Sequence, residues 1–237
     1  MADLLAVLYG GTLRVDPRRP DWADRDRFIL SKGHGAAILY AALAESGIIP
    51  RSWLDRYGED GGPLPGHVDA GVPGVEISTG SLGHGLSIAC GMALAAKRKR
   101  RSHRVIALLS DGELDEGSTW EAILFAPQHG LDNLTAIVDY NKIQSLGHVR
   151  DVIDLEPLAA KWTAFRWAAR EIDGHDHSQI AQALGECPFK VGSPSVIIAH
   201  TVKGKGVSFM EGQLAWHYQA PDDAQLVQAL TEVGAPE

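Results

Sequence analysis

Residues 105–142 read VIALLSDGELDEGSTWEAILFAPQHGLDNLTAIVDYNK, and the fold is decided in this stretch. Val105–Leu109 and Thr135–Tyr140 are short apolar runs rich in β-branched residues, and a helical run from about Thr119 to His129 lies between them. A strand, a helix and a second strand in succession form a βαβ unit, whose parallel strands are buried on both faces. The predicted strands end at Ser110 and Tyr140 and open directly onto SDGE and NKIQ. Ligands in open α/β sheets bind beyond the carboxyl ends of the strands, so both polar segments are expected to line one crevice.

The alternation continues on either side. Upstream, helices are predicted from about His34 through AAILYAALAES, stopped by Gly47 and Pro50, and from Leu86 to about Arg100. Between them Asp60–Gly85 is too rich in Gly and Pro for a regular element and too long for an ordinary connection, which marks it as a loop serving a site. Downstream the pattern gives a helix near Leu158–Phe165, a strand near Trp167–Ile172, a helix Ser178–Glu186 and a strand Ser195–His200. The glycine-rich loop KGKGVSFMEG then leads to a final helix near Asp222–Val233. The fold class is therefore α/β, a largely parallel sheet with helices on both faces. With no internal repeat or linker, residues 1–237 read as one domain.

Composition narrows the function. A chain of 237 residues, 45% hydrophobic and 22% charged, is long enough for a sizeable core and ordinary for a globular protein. Its net charge of -8 argues against a nucleic-acid binder, which needs a basic face. No run reaches the roughly 20 apolar residues of a membrane span, and no basic segment precedes the apolar start as in a signal peptide, so a cytoplasmic location is expected. Cys90 and Cys187 lie far apart and read as small core residues. The basic run KRKRRSHR, Lys97–Arg104, is expected to complement a helix C-terminus and stay in water. The dispersed aromatic residues are expected in the core, with Phe209 and Trp216 flanking the site.

The chemistry concentrates at the two strand ends. Asp111 and Asn141 offer a carboxylate and an amide oxygen, ligands of the kind hard Mg²⁺ takes alongside phosphate oxygens. Gly112 lets backbone approach a phosphate, and the helix that follows points N–H groups the same way. By spacing alone a DG dipeptide is most often an ordinary turn and an Asn most often a surface residue, and a lone loop histidine is usually just solvated.

Four motifs, in order, bear on that choice: DRFILSKGH, PGVEISTGSLGHGLSIACGMA, SDGELDEG with NKI, and GKGVSFMEG with WH. Together they resemble the N-terminal, thiamine-diphosphate-binding half of transketolases, from about Ala2 to the Pro221 region. The resemblance implies that Asp111, Asn141 and the Ile143 carbonyl hold Mg²⁺, for which Ca²⁺ or Mn²⁺ can substitute. It implies that Gly112 and His34 contact the diphosphate, with Asn141 beside it, and that Gly80, Ser81 and Leu82 lie beside the cofactor rings. His67 is implied to face substrate, His217 to lie between diphosphate and substrate, and Glu116 to join two cofactor sites across a dimer interface. The roles implied for His67 and His217 are catalytic. His84 stands where relatives commonly carry Gln, and His103, His129, His148, His175 and His177 are expected on the surface.

The sequence departs from the pattern in three places. Ser110 replaces the first Gly of GDG and Tyr140 the first Asn of an Asn pair; Ser is small enough to keep the turn, so metal binding is expected to survive. The chain also begins inside what resembles the family's first helix, without the SGHPG segment and its substrate-facing histidine, so either a shortened form or an upstream start is expected. A complete transketolase further needs a pyrimidine-binding domain. The expected reading is the N-terminal subunit of a split transketolase, joined in an α2β2 assembly by a separately encoded C-terminal subunit and acting on a sugar or sugar-phosphate substrate. The alternatives are a catalytically silent or regulatory subunit, or a related condensation of the deoxyxylulose-phosphate-synthase kind.

Overall fold

The computed structural model describes residues 1–234. The elements in chain order are α1 (Ala2–Val7), β1 (Arg27–Leu30), α2 (Ala36–Glu45), α3 (Gly85–Arg98), β2 (Val105–Ser110), α4 (Gly117–Gln128) and β3 (Leu134–Tyr140). A small hairpin β4 (Ile143–Gln144) and β5 (Gly147–His148) follows, then α5 (Val149–Val152), α6 (Leu158–Ala164), β6 (Ala168–Asp173), α7 (His177–Gly185), β7 (Ser195–His200) and α8 (Asp223–Glu232). Every helix and strand expected from sequence is present, with ends within about two residues of expectation.

The main sheet has the order β1-β2-β3-β7-β6, and every pairing in it is parallel. The chain builds outward from β1 to β3, jumps to the edge at β6 and returns to β7 beside β3. Side chains alternate along each strand, so successive residues join different cores. Phe28, Leu30, Ile106, Leu108, Ile137 and Ile197 pack with α1, α2 and α7. Ile29, Val105, Ala107, Leu109, Val138 and Ile198 pack with α3, α4 and α6 on the other face. The helix face switches with the direction of travel because parallel crossovers keep one hand. That reversal falls between β3 and β7, which stay paired to their last residues, Tyr140 and His200, and the segments that follow β2 and β3 border a cavity at this end of the sheet.

Several features differ from the sequence reading, the unforeseen hairpin β4–β5 and α5 among them. Strand β1 is not expected from sequence: RFIL is only four residues long and pairs with β2 alone, at the sheet edge. His103, expected on the surface, is buried just before β2, where desolvation and neighbouring Arg27 push its pKa down. Within KRKRRSHR, Lys97 behaves as expected, its Nζ donating to the Gly130 carbonyl and to Asp132, each at 2.6 Å. Arg104 instead turns inward, its backbone N–H donating to Asp26 at 2.9 Å and its Nη2 at 2.6 Å. Asp26 is 1% exposed and also accepts from the Arg14 backbone N–H at 3.1 Å, so two arginines serve one buried carboxylate. Among the described residues no helix is long and apolar enough to cross a membrane.

Candidate functional site

Asp111 is the first residue beyond β2, and Gly112 opens a short 3-10 turn, Gly112–Asp115. The Asp111 side chain is held by backbone from both loops: Oδ1 accepts the Gly112 N–H at 2.8 Å and Oδ2 accepts the Lys142 N–H at 2.6 Å. Burial dominates its environment and pushes its pKa up to about 6, against those two donors. Ser110, in place of glycine, does keep the turn, its Oγ accepting the Glu113 N–H at 3.2 Å. Beyond β3, Asn141 Oδ1 accepts the Ile143 N–H at 3.0 Å, and buried Ile143 begins the hairpin. Asp111, Gly112, Asn141 and Ile143 line one cavity of about 100 Å³, with Leu82 and His217 on its walls.

A basic wall closes the other side. Lys32, at the end of β1, is 5% exposed and ion-paired with Asp139, which also accepts from Thr201 Oγ1 at 2.5 Å. His34 follows in the turn Gly33–Gly35; desolvation first, then Lys32, His217, His67 and Lys203, lowers its pKa to about 4. His217 comes from the far loop, its ring 5.9 Å from that of His34. Lys203 Nζ donates to His217 Nδ1 at 3.1 Å, and since an ammonium can only donate, Nε2 must carry the imidazole proton. Desolvation, Lys203 and Lys32 together keep His217 below the usual imidazole pKa. Lys32, His34, Asn141, Lys203 and His217 also border a larger cavity of about 330 Å³.

The other expected residues sit further out. Gly80 lies against His67, where an added Cβ at position 80 would stand 3.2 Å from His67 Cδ2. The His67 carbonyl accepts the Tyr40 hydroxyl at 2.8 Å, which fixes the backbone while the side chain is exposed. Ser81 and Glu116 are exposed, and Glu116 stands at the N-terminus of α4.

Sequence reasoning passes over Lys32, Lys203, Asp139 and Thr201. A signal is present for two of them, because Lys32 stands inside DRFILSKGH and Lys203 immediately precedes GKGVSFMEG, beyond the ends of β1 and β7. His175, expected on the surface, is half-buried and borders the larger cavity. Its Nε2 accepts the Val202 N–H at 2.8 Å, so its Nδ1–H donates to Asp3 at 2.9 Å, tying α1 to the loop that carries Lys203.

The residues present fit a divalent cation with a diphosphate. Carboxylate, amide and carbonyl oxygens suit a hard ion. Among the described residues no group of three or more His, Cys, Asp or Glu is set to hold a metal. The wall of Lys32, His34, Lys203 and His217 provides the matching positive charge and N–H donors, and a Cβ at Gly112 would crowd Gln144 Cβ at 3.0 Å.

Sheet topology and crevice thus define an α/β domain built to receive an anionic cofactor at its strand ends. The chain matches the family described as transketolase, thiamine diphosphate binding domain, over residues 1–236, and it belongs to that family. It is 45% identical to a 6-deoxy-6-sulfo-D-fructose transketolase subunit of a Clostridium species over 92% of this chain and 79% of that one. It is 42% identical to an apulose-4-phosphate transketolase subunit of Phocaeicola vulgatus over 98% of this chain and 82% of that one. Among solved structures, the transketolase of Campylobacter jejuni superposes with a TM-score of 0.91 at 34% identity, over 98% of this chain and 37% of that one. The chain thus spans about two fifths of the length of the solved transketolases it matches.

Proposed function

We propose that this chain is the N-terminal, cofactor-binding subunit of a two-component transketolase. It transfers a two-carbon ketol unit from a ketose or ketose phosphate to an aldehyde acceptor, in the cytoplasm, as an α2β2 assembly with a separately encoded pyrimidine-domain subunit. The observation that carries this reading is the meeting of Asp111, Gly112, Asn141 and Ile143 with His34, Lys203 and His217 around one crevice. The similarity to chains that are themselves named as transketolase subunits supports the division of labour.

In this reading Asp111, Asn141 and the Ile143 carbonyl hold Mg²⁺, and Gly112 and His34 bind the diphosphate. Gly80, Ser81 and Leu82 flank the rings, and Glu116 faces a second copy across the interface. Bound thiamine diphosphate supplies the nucleophilic carbon needed to break and make the carbon–carbon bond. The chain supplies positioning and proton handling. His217 is neutral at physiological pH, with Nε2–H as a donor toward a substrate or phosphate oxygen. His34 is likewise neutral and donates without bringing a titrating charge into the site. His67, on the rim, hydrogen-bonds substrate oxygens. The test is titration of the purified chain with thiamine diphosphate and Mg²⁺ by calorimetry, with wild type against Asp111→Ala. Saturable, Mg²⁺-dependent binding lost in the variant supports the reading, and equal binding by both chains contradicts it.

A further inference from the structure

Glu113 lies two residues beyond Asp111 and is fully buried, 0% exposed. A single oxygen of its carboxyl, Oε1, accepts both the Ser31 hydroxyl and the Gly83 N–H, the latter at 2.9 Å. The other oxygen, Oε2, is buried with no hydrogen-bond partner among the described residues. A half-satisfied buried carboxyl is costly to keep, and packing alone would be served by an apolar side chain.

Its contacts say what the carboxyl holds. Gly83 closes the segment Gly80–Leu82, and its backbone is gripped at both ends: N–H by Glu113, and carbonyl by Ser118 Oγ at 2.9 Å. The loop sits so close that a Cβ at Gly83, where φ is +82°, would stand 2.4 Å from Ser118 Oγ. The Glu113 carbonyl meanwhile accepts Thr119 Oγ1 at 3.2 Å, anchoring the turn to the start of α4. One residue thus joins the ends of β1 and β2, the first turn of α4 and the loop at Gly83.

We propose that Glu113 is a positioning residue, which sets the spacing between the ring-flanking loop Gly80–Leu82 and the Asp111–Gly112 turn and thereby governs cofactor affinity. This rests on the reading of the crevice as a thiamine diphosphate site.

The test compares wild type with Glu113→Gln, Glu113→Leu and Glu113→Ala in the full chain. Affinity for thiamine diphosphate with Mg²⁺ is measured by calorimetry, and hydrogen exchange at the Gly83 amide is measured without cofactor. Gln keeps an acceptor oxygen in place, so affinity within about threefold of wild type and unchanged Gly83 exchange are expected. Leu fills the space without an acceptor; affinity is expected to fall roughly tenfold or more, with faster Gly83 exchange while amides in β2 and β3 stay protected. Ala shows the same pattern if it folds, and Leu carries the comparison if Ala does not. Wild-type affinity in the Leu variant, or a loss in Gln as large as in Leu, overturns the proposal. Failure of the wild-type chain to bind the cofactor at all overturns the site reading, and the proposal with it, so the two failures are distinguishable.

Discussion

Replacing Asp111 by Asn separates the cost of the site to the fold from its value to the ligand. The Asp111 carboxyl is 1% exposed, and its pKa rises from its ordinary 3.8 to about 6 because burial outweighs the N–H groups of Gly112 and Lys142. A carboxyl raised in this way favours folding below about pH 4, and that contribution is lost as pH rises through about 6. At pH 7 the ionised side chain then costs roughly 3 kcal/mol. Asn removes the charge, but its NH₂ must face one of two N–H donors that both aim at the side chain, costing about 1–3 kcal/mol. The two effects nearly cancel, so the ligand-free variant is expected to melt within roughly 6 °C of wild type at pH 7. Metal affinity, which depends on that charge, is expected to fall by more than the ~10–100-fold lost with an indirect support of a metal site. Differential scanning fluorimetry without ligand, paired with calorimetric titration of Mg²⁺ and thiamine diphosphate, reads both quantities. A variant that binds like wild type removes Asp111 from the metal site, and one that fails to fold rules out the near-cancellation.

Asp26→Asn is expected to destabilise the chain by about 1–3 kcal/mol in urea unfolding, because the amide cannot accept from all of the Arg14 and Arg104 donors and the two part-exposed arginines lose their ion-pair partner. Burial opposes the charge on Asp26, but the Arg104 side chain and the N–H groups of Arg104 and Arg14 win and hold its pKa below the ordinary value. The resulting stability is present above about pH 4 and disappears as pH falls further, a loss absent from the variant. His34 is expected to titrate near pH 4 in imidazole NMR of the ligand-free chain, and a midpoint above 6 contradicts the basic wall described for it. Lys32→Met leaves Asp139 buried without its lysine; a stability loss of up to about 3–5 kcal/mol is expected, moderated by the Thr201 hydroxyl and the N-terminal ammonium that remain and largely recovered by adding Asp139→Asn.

Much of this is legible in the sequence because the sheet is parallel and buried. Its strands β2 and β3 are mostly apolar and buried along their whole length, interrupted only by Ser110, Thr135 and Asp139, and the helix between them ends at a polar cluster and Gly130. Strand β1 escapes because four residues after DRD carry too little periodicity, and its existence depends on pairing with β2. The roles of Arg104 and His103 escape for a related reason: a basic run reads as solvated until a buried carboxylate from a distant loop, Asp26, meets it. At the site, Asp111 and Asn141 are ambiguous by spacing alone and stand out only because SDGELDEG and NKI fall in order with the other motifs. Lys32 and Lys203 do not, because a lysine reveals its task only when its partners are known: Asp139 for Lys32 and His217 for Lys203. Glu113 sits inside the motif SDGELDEG, yet its grip on Gly83 is tertiary and leaves no trace in spacing.

If this chain holds the cofactor but completes an active site only with a second subunit, ketol transfer must require both. Aldehyde release from a ketose phosphate donor, with thiamine diphosphate and Mg²⁺ present, measures that requirement directly. No turnover is expected from either the chain or the pyrimidine-domain subunit when each is assayed by itself, and turnover that saturates is expected as the two are mixed toward equal amounts. Turnover by this chain by itself, or an inert mixture of two folded subunits, contradicts the proposed division of labour.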